Sequence, residues 1–181
     1  MEIDQGFQGK FSGLFMLNFK QQNRVFNMRS VAVIIRNQHL LIHRSIKDDF
    51  WALPGGRVEF FENSDATLVR EMCEELGCGA QVQRLLWYVE NFFHYENQAY
   101  HEISTYHLVE IPDLPFVPYS ADNPAPPIRG LEDTVQLEFI WVPLDGLANW
   151  NIKPDFLIES CQHLPTEPTF IKIDQLELKR V

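Results

Sequence analysis

One stretch, Gly56 to Cys78 (GRVEFFENSDATLVREMCEELGC), constrains the chain more than any other. The spacing predicts a helix from about Asp65 to Leu76, with Ser64 as the N-cap and Gly77 as a left-handed terminator. On a helical projection Ala66, Leu68, Val69, Met72, Cys73 and Leu76 share one side, which is the expected core face, and Thr67, Arg70, Glu71, Glu74 and Glu75 share the other. Glu71, Glu74 and Glu75 stand at i, i+3 and i+4, where like charges repel by a few tenths of a kcal/mol (about 0.2–0.5) per pair unless a counterion sits among them. Oxygen-only ligands select Mg²⁺ or Mn²⁺ over zinc, and Mg²⁺ characteristically completes its shell with waters and phosphates. The helix therefore points to chemistry at phosphorus.

The order Gly56, five residues, Glu62, seven residues, then Arg70-Glu71-Met72-Cys73-Glu74-Glu75-Leu76-Gly77-Cys78 resembles the signature of the Nudix hydrolases, G-x5-E-x7-R-E-U-x-E-E-x-G-U, with U a bulky aliphatic. Every charged and glycine position matches; Cys78 replaces the last aliphatic at a packing place. The resemblance implies an α/β fold, a Nudix-like α/β/α sandwich with a mixed β-sheet. It also implies hydrolysis of a nucleoside diphosphate linked to another moiety, by water attacking phosphorus. Glu74 and Glu75 would be metal ligands, with Glu71 a ligand or the base, and a carbonyl at Gly55 or Gly56 would join the metal. Arg70 would orient a glutamate, and Glu62 would support the loop or act as an outer ligand. Taken as a helix surface alone, Arg70 would make only a weak ion pair and Glu62 would favour the helix N-terminus.

A chain of 181 residues fits one domain with its own core. Its formal charge of -10 works against long nucleic acids and anionic membrane surfaces, and suits a small nucleotide substrate accompanied by a cation. Three cysteines, Cys73, Cys78 and Cys161, form no even framework and suit reduced packing thiols in a cytoplasmic setting. No apolar run reaches membrane-spanning length, so no membrane partner is expected. Residues 1–28 form an extension rich in phenylalanine, to be buried by an edge strand, a short helix or a homodimer contact; residues 29–181 form the single domain.

Within it, Ser30–Arg36 and His39–Arg44 read as a hairpin around Asn37-Gln38, and Phe50–Leu53 as a short strand. Gln81–Glu96 and Ala99–Ile111 read as long strands around Asn97-Gln98. In the first, Leu85, Trp87, Val89 and Phe93 face a packed helix, while Tyr88, Phe92 and His94 face the other way and are candidates to stack on a base. Tyr95 resembles the tyrosine of diadenosine-polyphosphate hydrolases. The proline-rich segment 112–134 reads equally as a lid or a loose excursion. Val135–Val142 returns to strand, Pro143–Trp150 and Lys153–His163 read as helices, and Thr169–Val181 as a strand. Two further functions use the same box: sanitation of non-canonical or oxidised nucleoside triphosphates, and nucleotide sensing without cleavage.

Overall fold

The computed structural model describes residues 16–120, 126–131 and 135–176, and the structural statements below concern these. The phenylalanines before Met16 lie outside them. In chain order the strands are β1 (Asn18–Gln21), β2 (Arg24–Val33), β3 (Ile35–Arg36), β4 (His39–Ser45) and β5 (Gly55–Arg57). Helix α1 (Ser64–Leu76) is followed by β6 (Gln81–Tyr95), β7 (Gln98–Glu110), β8 (Ile128–Arg129) and β9 (Leu137–Pro143). A 3-10 helix (Leu144–Asn149), α2 (Leu157–Ser160) and β10 (Thr169–Asp174) complete the described chain.

These strands form two sheets. One is mixed, ordered β1-β2-β7-β6-β10 with β5 also on β2; the other, β3-β4-β9-β8, is antiparallel. Parallel pairing joins β2 to β7 and β6 to β10, whereas β6 and β7 form a long antiparallel hairpin. The antiparallel sheet is buried on both faces. Leu40, Ile42 and Val142 join Val31, Val33, Trp87 and Val89 in one cluster that Leu147, Leu157 and Cys161 close. Leu41, Phe139 and Trp141 join Leu68 and Met72 of α1 in the other. The α/β character and mixed sheet follow the expectation, but the C-terminal helices shrink to the 3-10 helix and the single turn of α2, and Phe50–Leu53 contributes isolated bridges in place of a strand.

Turn chemistry explains two boundaries. Asn37 and Gln38 have φ of 48° and 61°, the twist a two-residue hairpin demands, and they turn β3 into β4 as expected. β2 belongs to the other sheet, because the chain breaks at Ile34 between β2 and β3. The β6–β7 turn is Glu96-Asn97, with φ of 48° and 62°, one residue earlier than predicted. Residues 18–28, counted with the extension, supply β1 and the first half of β2.

The described parts of the proline-rich segment are pinned rather than loose. Leu114 is buried, Arg36 donates to the carbonyls of Leu114 and Ile111, and the Trp141 indole donates to the Pro115 carbonyl at 3.0 Å. The Leu131 amide donates to the Glu75 carbonyl at 2.8 Å, tying the segment to α1. Among the described residues no helix is long and apolar enough to cross a membrane.

Candidate active site

Helix α1 begins one residue earlier than predicted. Asn63, not Ser64, is the cap: its side chain accepts from the Ala66 amide at 2.9 Å, while Ser64 is the first helical residue and its carbonyl accepts from Ser30 Oγ. Gly77, at φ 66°, closes the helix as expected. The buried face is also rotated from the predicted one. Thr67, Leu68, Glu71, Met72 and Glu75 are buried, whereas Val69 and Cys73 are exposed. The apolarity count failed because two carboxylates of this helix point inward.

Two glycines make room for them. Gly55, at φ 143°, lies so close to the Ser30 carbonyl that any side chain would strike the β2 backbone. At Gly56 the space a Cβ would need is filled by the Glu71 carboxylate. Strand β5 therefore carries the helix glutamate directly against its backbone.

Arg70 organises the remaining carboxylates. Its Nε and Nη2 grip Glu62 at 2.9 and 3.0 Å, a two-pronged contact, and Nη1 donates to Glu71 at 2.7 Å and to Glu74 at 3.1 Å. Nη2 also donates to the Arg57 carbonyl at 3.1 Å, and Glu59 lies at 3.6 Å. The guanidinium is largely buried, so this is more than a surface ion pair. Glu62 in turn accepts from Thr67 Oγ1 and from the Glu59 amide. Burial pushes the Glu62 carboxyl up, but these hydrogen bonds outweigh it and hold the group below the usual carboxylate range. The hydrogen bond to Glu62 raises Arg70, ahead of the opposing effect of its burial. At Glu71 burial wins over Arg70, and the carboxyl is pushed up.

The three carboxylates expected to hold a cation differ in burial. Glu74 is exposed, Glu71 and Glu75 are buried, and the Arg70 guanidinium bridges Glu71 and Glu74. Among the described residues no three His, Cys, Asp or Glu side chains gather in metal-binding geometry.

The aromatic candidates lie apart from this cluster. Tyr88 is in register with Thr105, Ser30 and then Gly56, three strand spacings or about 14 Å away, and packs on Phe170 of β10. Phe92 meets His101 edge-on at 4.6 Å, beside a cavity of about 570 Å³ that Phe19, Phe26 and Leu176 also line. His94 is exposed. Tyr95 points to the opposite sheet face and donates to Asp48 at 3.1 Å. Trp87 and Val89 are core as expected, packed against the second sheet and C-terminal segment instead of α1.

Inferring function from sequence missed three polar residues on that inner face, Asn27, Asn91 and Glu102, all buried. Their signal was a polar residue interrupting an apolar alternation, as in Trp87, Val89, Asn91 and Phe93.

The family model for the Nudix domain matches residues 26–158, most of the chain and all of the cluster above. The chain belongs to the Nudix family. An RNA pyrophosphohydrolase of Ruthia magnifica subsp. Calyptogena magnifica is 31% identical over 74 residues, which cover 40% of this chain and 41% of that protein. The match thus spans under half the length of that relative. An ADP-ribose pyrophosphatase from Streptococcus suis 89-1591 superposes with a TM-score of 0.54 at 15% identity, over 81% of this chain and 98% of the other. A UDP-X diphosphatase superposes with a TM-score of 0.53 at 19% identity, over 80% and 66% of the two chains. At such identities these two structures establish a shared Nudix fold and nothing finer.

Proposed function

We propose that this Nudix chain is a pyrophosphohydrolase that cleaves a phosphoanhydride bond in a nucleoside diphosphate linked to another moiety, with Mg²⁺ or Mn²⁺ as its cofactor. The observation that carries the reading is the arginine-centred carboxylate cluster, with Glu71 packed on the bare backbone of Gly56. A divalent cation fits this cluster in charge and donor type. Glu71 stays pushed up despite Arg70, with burial the main cause and the Glu74 charge adding to it, and a hard cation would relieve both. Glu71, Glu74 and Glu75 would hold the ion, with the Gly55 or Gly56 carbonyl. When bound, it supplies charge neutralisation to the phosphates and to the leaving group.

The chain's own side chains do the rest. Water attacks phosphorus, the anhydride P–O bond breaks, and the departing phosphate takes the bonding pair. Glu71 or Glu75 accepts the proton of the water. Arg70 positions Glu71 and Glu74 through Nη1, and Glu62 anchors Arg70 through the other edge of the guanidinium. Arg29 Nη2 donates to the Gly55 carbonyl at 2.9 Å and holds the turn from the inner face.

The partial likeness to an RNA pyrophosphohydrolase supports including RNA with a 5′ polyphosphate among substrates to be tried. The test is a panel of nucleoside diphosphate derivatives, oxidised and ordinary nucleoside triphosphates and that RNA, with Mg²⁺ and product detection. Turnover of a diphosphate derivative, abolished by excess EDTA and reduced about 10²-fold or more in kcat by Glu75→Gln, is expected. Full turnover in EDTA overturns the metal assignment. Selective turnover of oxidised triphosphates favours sanitation, and binding without turnover favours sensing.

A further inference from the structure

The inner face of the mixed sheet carries a polar row that the hydrolytic cluster does not use. Cα register aligns Asn18 of β1, Asn27 of β2, Glu102 of β7 and Asn91 of β6 straight across four strands. Asn27, Asn91 and Glu102 are 2%, 7% and 9% exposed. Asn27 Nδ2 donates to Glu102 Oε2 at 3.1 Å, and Ser104 Oγ donates to Glu102 Oε1 at 2.8 Å.

The orientation of Asn27 is fixed by chemistry. A carboxylate only accepts, so the amide NH₂ must face Glu102, and the Asn27 oxygen is the atom left over. That oxygen is buried without a donor, and so is Asn91 Oδ1. Glu102 has lone pairs remaining after its two hydrogen bonds. Among the described residues, acceptor sites at Asn27, Asn91 and Glu102 thus remain short of donors, an arrangement that costs stability unless donors arrive from elsewhere.

We propose that this row reads the donor edge of a guanine base, and so gives the hydrolytic site a guanine-nucleotide preference. The inference rests on the proposed hydrolysis of a nucleotide. Guanine presents N1–H and an exocyclic amino group side by side, the pair a carboxylate and flanking amide oxygens accept. Adenine and cytosine set a ring acceptor beside their amino group, facing it to the carboxylate, and uracil offers one N–H between two carbonyls.

The neighbouring rows suit the rest of such a ligand. On one side Phe93 and Tyr100, on the same sheet face, stack on each other at 5.0 Å and 11° and bound the row with aromatic rings. On the other side, two residues or about 7 Å along β2, stands Arg29, bonded to the Gly55 carbonyl and thereby joined to the carboxylate cluster. Base and phosphates of one nucleotide would lie along this line.

The test is calorimetric binding of GMP, IMP, AMP and UMP to the full chain without metal, which reads the base site apart from catalysis. GMP is expected to bind at least tenfold tighter than AMP and UMP. IMP, which keeps N1–H but lacks the amino group, is expected at least threefold weaker than GMP. Glu102→Gln, which places a donor in the row, should bring the GMP to AMP ratio within twofold; if circular dichroism shows that variant unfolded, Asn91→Ala is read the same way. Equal affinities, no binding at millimolar nucleotide, or a preference that survives the substitution overturns the proposal and leaves the row a structural network satisfied by water. Selective GMP binding by a chain that cleaves nothing in the substrate panel would instead overturn the hydrolytic reading alone.

Discussion

At Gly56 a single missing methyl decides where the Glu71 carboxylate can lie. Its backbone needs no special dihedral, so Gly56→Ala acts through contact alone, forcing Glu71 or the helix to shift. A displacement of this size is expected to cut kcat about 10²-fold while moving the denaturation midpoint little. A wild-type kcat would show that the Glu71 position is unimportant. His43 carries a different residue-scale expectation. It is buried with Nδ1 unpartnered, and burial, then the Arg29 charge, lowers its pKa to about 3 against an opposing hydrogen bond involving the Leu53 backbone. A folded value below the unfolded 6.5 means that protonation favours the unfolded chain. The contribution is complete above pH 6.5 and lost as pH falls toward 3. At about 1.4 kcal/mol per unit, the loss between pH ~6.5 and pH ~4.5 is about 2–3 kcal/mol. Urea unfolding across this range should show His43→Gln flattening the profile by that amount, and parallel profiles would refute it. The sequence showed the box residues because their spacing is fixed, but Arg70 as a hub for Glu62, Glu71 and Glu74 depends on a fold-back of the loop that spacing does not reveal.

Helix α1 shows how an element can be right in extent and wrong in orientation. Its length and glycine stop were legible, since caps are local chemistry. Its buried face was not, because an apolar projection assumes that only apolar groups go inside, and Glu71 and Glu75 go inside here. The cap assignment separates two adjacent residues. Asn63→Ala removes the hydrogen bond to the Ala66 amide and should cost about 1 kcal/mol, whereas Ser64→Ala, which leaves the carbonyl that Ser30 grips, should stay within about 0.5 kcal/mol. Equal losses in chemical denaturation would contradict the assignment. The anchoring of the proline-rich segment was hidden for a related reason. Its anchors are backbone carbonyls held by Arg36 and Trp141, and carbonyls leave no trace in an apolar pattern.

Across the whole molecule, the longer strands and the two hairpins were legible, and the pairings between strands distant in the chain were not. Alternation marks a strand but says nothing about which sheet it joins, so the passage of the chain from β2 to β3 between sheets was invisible, as was the parallel alignment of β2 with β7. That alignment also explains why Asn27 and Glu102, 75 residues apart, escaped notice as a pair. It carries a further consequence for how the protein is made. Helix α1 lies between β2 and β7 in the chain, and its glutamates enter their pocket only when β5 docks on β2, which pairs with β7 over a separation of 75 residues. Closing so long a span is slow relative to forming a helix. During synthesis the box therefore leaves the ribosome well before the strand that completes its sheet, and a nascent chain ending ahead of β7 would hold every box residue of the hydrolytic cluster while lacking the sheet that buries it.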